Sequence, residues 1–313
     1  MLEINDSLRG RDFLSIHDFS KEEIAYILEI GAEIKRMQKS GIPHPYLAGK
    51  TLGMIFQKAS TRTRVAFEVG MYQLGGHALF LSPRDIQLGR GETIKDTALV
   101  LTRMLDGIMI RTFDHEEVVE LAKWSTVPVI NGLTDLLHPT QVIGDLMTIK
   151  EHKSGFKGLK CAFVGDGNNV AHSLLFGGAK VGMDVFVASP AGFEPDARIL
   201  EMAREDAGET GATLKAVEDP EEAVAGADVV YTDVWASMGQ EDQAEEKEKK
   251  FLRYQVNQKL MSLAAKDAIV LHCLPAKRGK EITDEVMDGP QSVVFEEAEN
   301  RLHAHKAIMA VVM

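Results

Sequence analysis

The segment Ser60-Thr-Arg-Thr-Arg64 concentrates two guanidinium groups and three hydroxyl groups in five residues. An apolar run of strand length, Thr51–Phe56, precedes it, and apolar residues from Val65 onward recur at helical spacing, so a helix begins near Ser60. Arg62 and Arg64 then lie in the first turn, where the helix dipole is already positive and further cations are unfavourable. A bound phosphate or carboxylate would remove this conflict, because helix-start amides, hydroxyl groups and guanidinium groups all donate to oxyanions. The alternative is a polar turn with two solvated arginines.

His138, Asp233 and Cys273 could also do chemistry, and each has a simpler interpretation. A lone histidine is more often structural than catalytic, and the segment His138-Pro-Thr-Gln141 could be a loop and helix start. Asp233 could be an ordinary acid at the end of a strand. Cys273 directly follows His272, a pair that could indicate a thiol nucleophile, a metal ligand or a buried structural thiol.

Motifs for common cofactors are absent from the sequence. There is no Walker loop, which disfavours a nucleotide with magnesium, and "GDGNNVAHS" lacks the Gly-x-Gly-x-x-Gly pattern of dinucleotide sites. His303 and His305 are two apart on a predicted helix, so they face different sides and make a poor metal pair. We therefore expect neither a metal nor an organic cofactor.

Length and composition indicate a globular protein of two domains. The chain has 313 residues, of which 45% are hydrophobic and 26% charged. A net charge of −12 disfavours a general surface for nucleic acid or anionic membranes. Two cysteines exclude a disulfide framework, and the amino terminus lacks the apolar core of a signal peptide. These features, with no apolar stretch of transmembrane length, predict a soluble cytoplasmic protein.

Strands and helices alternate in both halves of the chain, a pattern typical of parallel sheets covered by helices. The predicted strands are 51–56, 77–82, 106–111, 128–131, 160–164, 184–189, 229–233 and 268–271. We predict an α/β protein with two doubly wound parallel-sheet domains. The first domain covers residues 1–145 and the second 146–297, with a final helix of about residues 298–313 that packs back on the first domain.

Nearly every unusual polar segment follows a predicted strand. In the first half these segments are "STRTR", "SPRDIQLG", Arg111-Thr-Phe and "HPTQ"; in the second half they are "GDGNN", "DVWASMGQE" and "HCLPA". Ligands of open parallel sheets bind beyond the carboxyl ends of the strands. The pattern therefore predicts an active site in a cleft between the two domains.

Four of these segments, "STRTR", "HPTQ", "DVWASMGQE" and "HCLPA", together resemble the aspartate/ornithine carbamoyltransferase family. They occur in the family's order and spread over most of the chain, which makes the joint match specific. The resemblance implies transfer of the carbamoyl group of carbamoyl phosphate to the side-chain amine of L-ornithine, giving L-citrulline and phosphate. The alternatives are another acceptor amine, putrescine or aspartate, and a binding protein that only senses a phosphorylated metabolite. Whether the flux is biosynthetic, toward arginine, or catabolic stays open.

The resemblance also implies which residues hold each substrate. Those for carbamoyl phosphate are Ser60, Thr61, Arg62, Thr63, Arg64, Gln87, Arg111, His138, Pro139, Thr140, Gln141, Cys273, Leu274 and Arg301. Those for ornithine are Asn169, Asp233, Ser237 and Met238. The implied catalytic residues are Arg111, His138, Asp233 and Cys273.

Particular roles follow from the same resemblance. Arg111, His138 and Arg301 polarise the carbamoyl carbonyl group, and Asp233 pairs with the α-ammonium group of ornithine. Cys273 lies beside the reacting amine as a positioning group, not as a covalent nucleophile.

The loop "SPRDIQLGRGETIKDT" is too long for a tight turn and contains Gln87. The resemblance implies that Gln87 reaches into the carbamoyl phosphate site of a neighbouring subunit, within a homotrimer or an assembly of trimers. The alternative is a solvated loop on its own subunit. The charged run 240–250 indicates a solvated helix face, a lid over the amino acid, or both.

Overall fold

The computed structural model describes residues 4–84, 86–87, 91–235 and 244–313. The chain divides into two compact units. The first unit comprises Met1–Met147 with Asn300–Met313, and the second comprises Thr148–Glu299. Within the described ranges, no helix combines the length and the apolar character needed to cross a bilayer.

Among its described residues, the first unit holds four strands and five α-helices that begin in it. The strands are β1 (Thr51–Phe56), β2 (His77–Leu81), β3 (Gly107–Arg111) and β4 (Val129–Leu133). The helices are α1 (Lys21–Lys39), α2 (Thr61–Gln73), α3 (Ile94–Leu101), α4 (His115–Trp124) and α5 (Pro139–Lys153), whose last residues belong to the second unit.

The second unit holds the remaining strands and most of the remaining helices. The strands are β5 (Lys160–Val164), β6 (Asp184–Ala188), β7 (Leu214–Val217), β8 (Val229–Thr232) and β9 (Ile269–His272). The helices are α6 (Asn169–Val181), α7 (Ala197–Ala207), α8 (Pro220–Val224), α9 (Ala244–Phe251), α10 (Gln258–Met261), α11 (Asp284–Met287) and α12 (Val294–Val312), which continues into the first unit.

Both sheets are parallel throughout, with the strand orders β2-β1-β3-β4 and β7-β6-β5-β8-β9. In the first sheet the chain moves outward from β1 to β2 and then returns to β3 on the other side of β1. In the second it moves from β5 to β7 and returns to β8. The predicted pair of parallel α/β sheets is confirmed. Each sheet therefore has a topological switch point, between β1 and β3 and between β5 and β8, where open sheets of this kind bind ligands.

Strand β7 is the one strand of the described chain that the sequence analysis missed. Its sequence, Leu-Lys-Ala-Val, is short, and only Leu214 is fully buried. It lies at the edge of the second sheet and pairs with β6 alone. An edge strand needs little apolar sequence, because only part of its surface is covered.

The helix that follows β1 begins where the sequence predicts. Ser60 is the N-cap of α2, and its hydroxyl oxygen accepts a hydrogen bond from the backbone N–H of Thr63. The residues that follow pack inward, with Phe67 and Met71 fully buried. Helix α2 is thus stabilised at its start by the N-cap and along its length by burial of its apolar side chains.

Lys306 of α12 is a fully buried lysine in the first unit. Its ammonium group donates to Gln38 Oε1 at 2.6 Å and Gln73 Oε1 at 2.7 Å, and it lies 3.2 Å from His44 Nε2. Gln38 and Gln73 lie in the last turns of α1 and α2, so the cation meets the negative ends of two helix dipoles. Burial nevertheless lowers the pKa of Lys306 to about 8.

The titration of Lys306 should make stability rise with pH. Below about pH 8, Lys306 is protonated in both the folded and the unfolded chain, so folding carries the full free-energy cost of burying the ammonium group. Between about pH 8 and the ordinary value of 10.5, the unfolded chain holds more protons than the folded chain, so the free energy of unfolding increases. Denaturant titrations should show the wild-type value rising relative to Lys306→Met by up to about 1.4 kcal/mol per pH unit in this window.

The matched control is Lys259→Met, which removes a lysine whose side chain is 90% exposed. Its difference from wild type should stay flat over the same window. A flat difference for Lys306→Met as well would contradict the lowered pKa.

Candidate active site

The start of α2 lies at the switch point of the first sheet, and its hydroxyl groups are tied to a buried arginine. Thr63 is fully buried, and its Oγ1 atom accepts a hydrogen bond from Ser60 Oγ at 3.0 Å and one from Arg301 Nη2 at 2.7 Å. Arg301 is 2% exposed and lies on α12. A Cβ atom at Gly144 of α5 would come within 3.4 Å of the Arg301 side chain, so α2 and α5 both lie against this arginine.

Arg62 and Arg64 differ in surroundings although only one residue separates them. The Nε atom of Arg62 is buried and has no hydrogen-bond partner among the described residues. Arg64 is exposed; it pairs with Glu68 at 3.0 Å and stacks on Phe80, with its guanidinium carbon 3.8 Å from the ring centroid. Both were predicted to bind carbamoyl phosphate. Arg62 has a donor still to satisfy, whereas Arg64 is already engaged on the outer face of the helix.

Arg111 ends β3 on the other side of the switch point and is 6% exposed. Its Nη1 atom lies 3.5 Å from Thr63 Oγ1, so Arg111 and Arg301 meet at the same hydroxyl group. His138 immediately precedes α5 and is 4% exposed. Burial, followed by the nearby cations Arg301 and Arg111, holds the pKa of His138 well below its ordinary value. The imidazole is therefore neutral at physiological pH and can donate one N–H hydrogen bond.

The first turn of α5 contains further residues that were predicted to bind carbamoyl phosphate. Pro139 is buried, and Thr140 and Gln141 are fully buried. Gln141 Nε2 donates to Asp145 Oδ1 at 2.8 Å, which fixes the side-chain amide. Thr61, in contrast, is exposed at the start of α2.

Lys58 was not singled out from the sequence, yet its side chain is buried two residues after β1. Its ammonium group pairs with Asp135 at 2.6 Å, lies 4.8 Å from the Phe113 ring centroid, and contributes to the lowered pKa of His138. A single lysine after a strand carries no motif, so only the fold reveals its place among the cations.

In the second unit, Asp233 lies just beyond β8, at the switch point of the second sheet, and is 7% exposed. One carboxylate oxygen, Oδ2, accepts from Asn168 Nδ2 at 2.8 Å. The other, Oδ1, accepts from the Cys273 thiol at 3.0 Å. Asn168 is also the N-cap of α6, with its side-chain oxygen bound to the N–H groups of Val170 and Ala171. The resemblance implied Asn169 and not Asn168, because a motif carries no information about which asparagine contacts the carboxylate.

The loop before α6 brings Asn169 and a second carboxylate to the same edge of the sheet. Asn169 is the first residue of α6 and is 9% exposed. Asp166 pairs with Lys247 at 2.7 Å, both side chains being largely buried, and burial raises the Asp166 pKa despite this cation. Gly167 is required here, since a Cβ atom would come within 2.2 Å of the Pro195 nitrogen. The ion pair was not predicted, because its partners are far apart in sequence.

Asp233, His272 and Cys273 place three possible metal ligands within 4.8 Å of one another. Both nitrogens of His272 are already engaged, however: Nδ1 with the Leu274 N–H at 2.9 Å and Nε2 with Glu281 at 3.1 Å. Metal binding through this histidine would break one of these buried contacts. The donor set therefore fits a hydrogen-bonded turn better than a metal centre.

The remaining predicted residues differ in what the structure shows of them. Gln87 is exposed, and Ser237 and Met238 lie outside the described residues. Cys273 and Leu274, which were also assigned to carbamoyl phosphate, belong to the second unit, and Leu274 has a φ of 57°. The assignment of each residue to a substrate stays a prediction.

The two clusters suit opposite charges. In the first unit, Arg62, Arg111, Arg301 and the neutral His138 present donors to an oxyanion, whether a phosphate or a carbonyl oxygen that gains charge. In the second unit, Asp233 presents a carboxylate held by an amide and a thiol, which suits an ammonium group.

Comparison with known proteins shows what these two units are similar to. Residues 11–151 match the family model described as "Aspartate/ornithine carbamoyltransferase, carbamoyl-P binding domain", and residues 157–312 match "Aspartate/ornithine carbamoyltransferase, Asp/Orn binding domain". An ornithine carbamoyltransferase of Carboxydothermus hydrogenoformans is 60% identical over 307 residues, covering 98% of this chain and 99% of the relative.

Solved structures agree with the sequence relatives. The ornithine carbamoyltransferase of Pyrococcus furiosus superposes with a TM-score of 0.96 at 57% identity, covering 98% of both chains. The anabolic ornithine carbamoyltransferase of Campylobacter jejuni superposes with a TM-score of 0.89 at 46% identity, covering 96% of this chain and 97% of that one.

Proposed function

Because this chain belongs to the aspartate/ornithine carbamoyltransferase family, we propose that it transfers the carbamoyl group of carbamoyl phosphate to the side-chain amine of L-ornithine. The products are L-citrulline and phosphate. The relative from Pyrococcus furiosus is named an anabolic enzyme, which favours the biosynthetic direction, toward arginine. We place the reaction in the cytoplasm.

The proposed chemistry is a direct attack of the amine on the carbamoyl carbon. The neutral δ-amine of ornithine forms the new N–C bond, its proton leaves, and the C–O bond to phosphate breaks with the electron pair going to phosphate. Negative charge gathers on the carbonyl oxygen and on the leaving phosphate. Fixed donors that stabilise this charge and hold two aligned substrates supply several kcal/mol of the rate enhancement. The reaction as proposed needs no metal or organic cofactor.

The first unit supplies the donors for carbamoyl phosphate. Ser60, Thr61, Arg62 and Thr63 bind the leaving phosphate at the start of α2, where the helix dipole adds to the attraction. Arg111, Arg301 and His138 donate to the carbonyl oxygen. The low pKa of His138 means that it acts as a neutral donor that is not lost as pH rises through neutrality.

The second unit supplies the acceptor for ornithine. Asp233 pairs with the α-ammonium group, and Asn169, Ser237 and Met238 complete the ornithine site. The contact of Cys273 with Asp233 links the thiol to the same ligand and supports its role as a positioning group.

The observation that carries this proposal is the junction of Arg111 and Arg301 at Thr63, beside a histidine that burial and, after it, those cations keep neutral. A steady-state assay of phosphate release from carbamoyl phosphate tests it, with ornithine, aspartate or putrescine as acceptor. Release should depend on ornithine and proceed at least about 100-fold faster than with the other two, because aspartate has no second amine to pair with Asp233 and putrescine lacks the α-carboxylate of ornithine. Release that is faster with aspartate or putrescine would overturn the assignment.

We further propose that the enzyme is a homotrimer or an assembly of trimers. Strand β2 is an edge strand whose Leu79 and Phe80 are exposed, whereas β1, β3 and β4 are almost entirely buried. Large apolar side chains of α2 and of the turn after α3 are exposed as well, Tyr72 at 81% and Met104 at 72%. Exposed apolar surface along a sheet edge is typical of protein contact sites.

Subunit mixing tests whether Gln87 acts in a neighbouring site. Gln87→Ala and Arg62→Ala should each be nearly inactive alone. When the two variants are unfolded and refolded together, mixed trimers would contain some sites with both residues intact, and activity should return to about a tenth or more of wild type. Cyclic trimers share sites through head-to-tail contacts, which explains this recovery.

Mass measurement of differently tagged subunits is the control for mixing. Activity that stays at the level of the separate variants despite proven mixing would place Gln87 in its own subunit's site or outside any site.

A further inference from the structure

A buried histidine–carboxylate pair stands behind the turn that carries Cys273. His272 and Glu281 are both 0% exposed, and His272 Nε2 lies 3.1 Å from Glu281 Oε1. The resemblance and the mechanism above assign neither residue a function. Burying two polar groups of this kind is costly unless each satisfies the other, so the pair has a structural or functional reason.

The hydrogen bonds of His272 determine where its proton lies. The Nδ1 atom lies 2.9 Å from the backbone nitrogen of Leu274, and a backbone N–H can only donate. Nδ1 is therefore the acceptor and carries no proton. The imidazole proton is on Nε2 and is donated to Glu281. Glu281 thus selects the tautomer that can hold Leu274.

The same carboxylate closes the far side of the turn. Glu281 Oε1 also accepts a hydrogen bond from the backbone N–H of Lys277. The segment between His272 and Lys277 is consequently fixed at both ends, with Leu274 in the left-handed region at a φ of 57°. A non-glycine residue in this region is held there by its surroundings.

This turn also positions the Cys273 thiol. The thiol donates to Asp233 Oδ1 at 3.0 Å, at the proposed ornithine site. The backbone of His272 is anchored separately, since its N–H donates to Glu297 Oε2 at 2.8 Å. Strand β9 would therefore remain in place if the side-chain pair were lost, whereas the turn after it would not.

We propose that Glu281 is a positioning residue for the acceptor amine: by fixing the His272 tautomer it holds the Cys273–Leu274 turn against Asp233. This inference rests on the proposed function, because the amine it positions is that of ornithine. The hydrogen-bond relay itself does not depend on any substrate.

Two substitutions of Glu281 separate positioning from charge. Glu281→Gln keeps an oxygen that can accept from both His272 and Lys277, whereas Glu281→Leu keeps the size and removes the acceptor. The KM for ornithine should rise about 10- to 100-fold in Glu281→Leu and stay within about threefold of wild type in Glu281→Gln. The KM for carbamoyl phosphate should change less than about twofold in both.

A variant that only destabilises the second unit is the matched control. Val229→Ala makes a cavity at the opposite end of β8 from Asp233 and should lower the melting temperature without changing either KM. If Glu281→Leu behaves like Val229→Ala, with a lower melting temperature and an unchanged KM for ornithine, the positioning role is wrong.

The rate of thiol labelling at Cys273 measures the conformation of the turn in the absence of substrate. Cys273 is partly exposed, whereas Cys161 is 0% exposed in β5 and serves as an internal measure of unfolding. An aromatic disulfide reagent should label Cys273 at least about fivefold faster in Glu281→Leu than in wild type, with Glu281→Gln at the wild-type rate. Equal labelling rates in all three proteins would contradict the role of Glu281 in holding the turn. If the wild type does not turn over ornithine, the proposed function is wrong, but the labelling rates still test the hydrogen bonds of the turn.

Replacement of His272 supplies the test if Glu281→Leu does not fold. The side-chain oxygen of His272→Asn can accept from the N–H two residues later without help from Glu281, as asparagine does in turns. His272→Leu cannot. The ornithine KM should stay within about fivefold of wild type for His272→Asn and exceed it by about tenfold or more for His272→Leu. Equal values for the two variants would contradict the proposal.

Discussion

Arg62→Ala is expected to weaken carbamoyl phosphate binding by about 100-fold or more, equivalent to about 3 kcal/mol. The buried Nε atom of Arg62 lacks a partner in the described chain and lies in the first turn of α2, whose amides already favour an anion. Calorimetric titration with carbamoyl phosphate measures the loss directly. The KM for ornithine at saturating carbamoyl phosphate should change much less.

Substitutions of two other arginines serve as controls for Arg62→Ala. Arg36→Ala removes an exposed arginine that pairs with Glu33 on α1, and it should leave carbamoyl phosphate affinity unchanged. Arg64→Ala should cause a far smaller loss than Arg62→Ala, since Arg64 is engaged with Glu68 and Phe80. Unchanged affinity in Arg62→Ala, or a larger loss in Arg64→Ala, would contradict the assignment of the phosphate site.

Asp233→Asn is expected to lower kcat/KM for ornithine by about 30- to 100-fold, with little change in carbamoyl phosphate affinity. The substitution removes the charge that pairs with the α-ammonium group, an interaction worth about 2–3 kcal/mol. It also places an amide where one carboxylate oxygen accepts from Asn168 Nδ2 and the other from the backbone N–H of Val234, so one of these two contacts becomes donor against donor. Initial rates over a range of ornithine concentrations measure the effect.

Asp196→Asn is the matched control in the same unit. Asp196 is the exposed N-cap of α7, and asparagine caps a helix about as well as aspartate. It should leave both kinetic constants unchanged. A normal ornithine KM in Asp233→Asn would show instead that Asp233 is structural and that the acceptor site lies elsewhere.

The parts of the fold that were predictable are those with a strong local signal. Strands such as β1 and β3 are short apolar runs, and the N-cap at Ser60 marks the start of α2. These features arise from neighbouring residues, so a single sequence suffices to locate them. Strand β7 was missed because its edge position, and not its composition, makes it a strand.

The site was predictable as a set of motifs but not as a set of contacts. The resemblance selected Arg111, His138 and Arg301, and the fold brings Arg111 and Arg301 together at Thr63, a fully buried residue of α2. It did not select Lys58, Asn168 or Glu281. Lys58 and Asn168 contact carboxylates that are distant in sequence, and Glu281 acts through His272 and not on a substrate. Burial and tautomer are properties of the folded chain, and a sequence carries them only indirectly.

The most direct test of the account is the identity of the product formed from labelled carbamoyl phosphate. With carbon-13 in the carbamoyl group, mass spectrometry and NMR should find the label in citrulline, bonded to the δ-nitrogen, in a one-to-one ratio with the phosphate released. Phosphate release without labelled citrulline, or label on another amine when ornithine is present in excess, would contradict the proposed function.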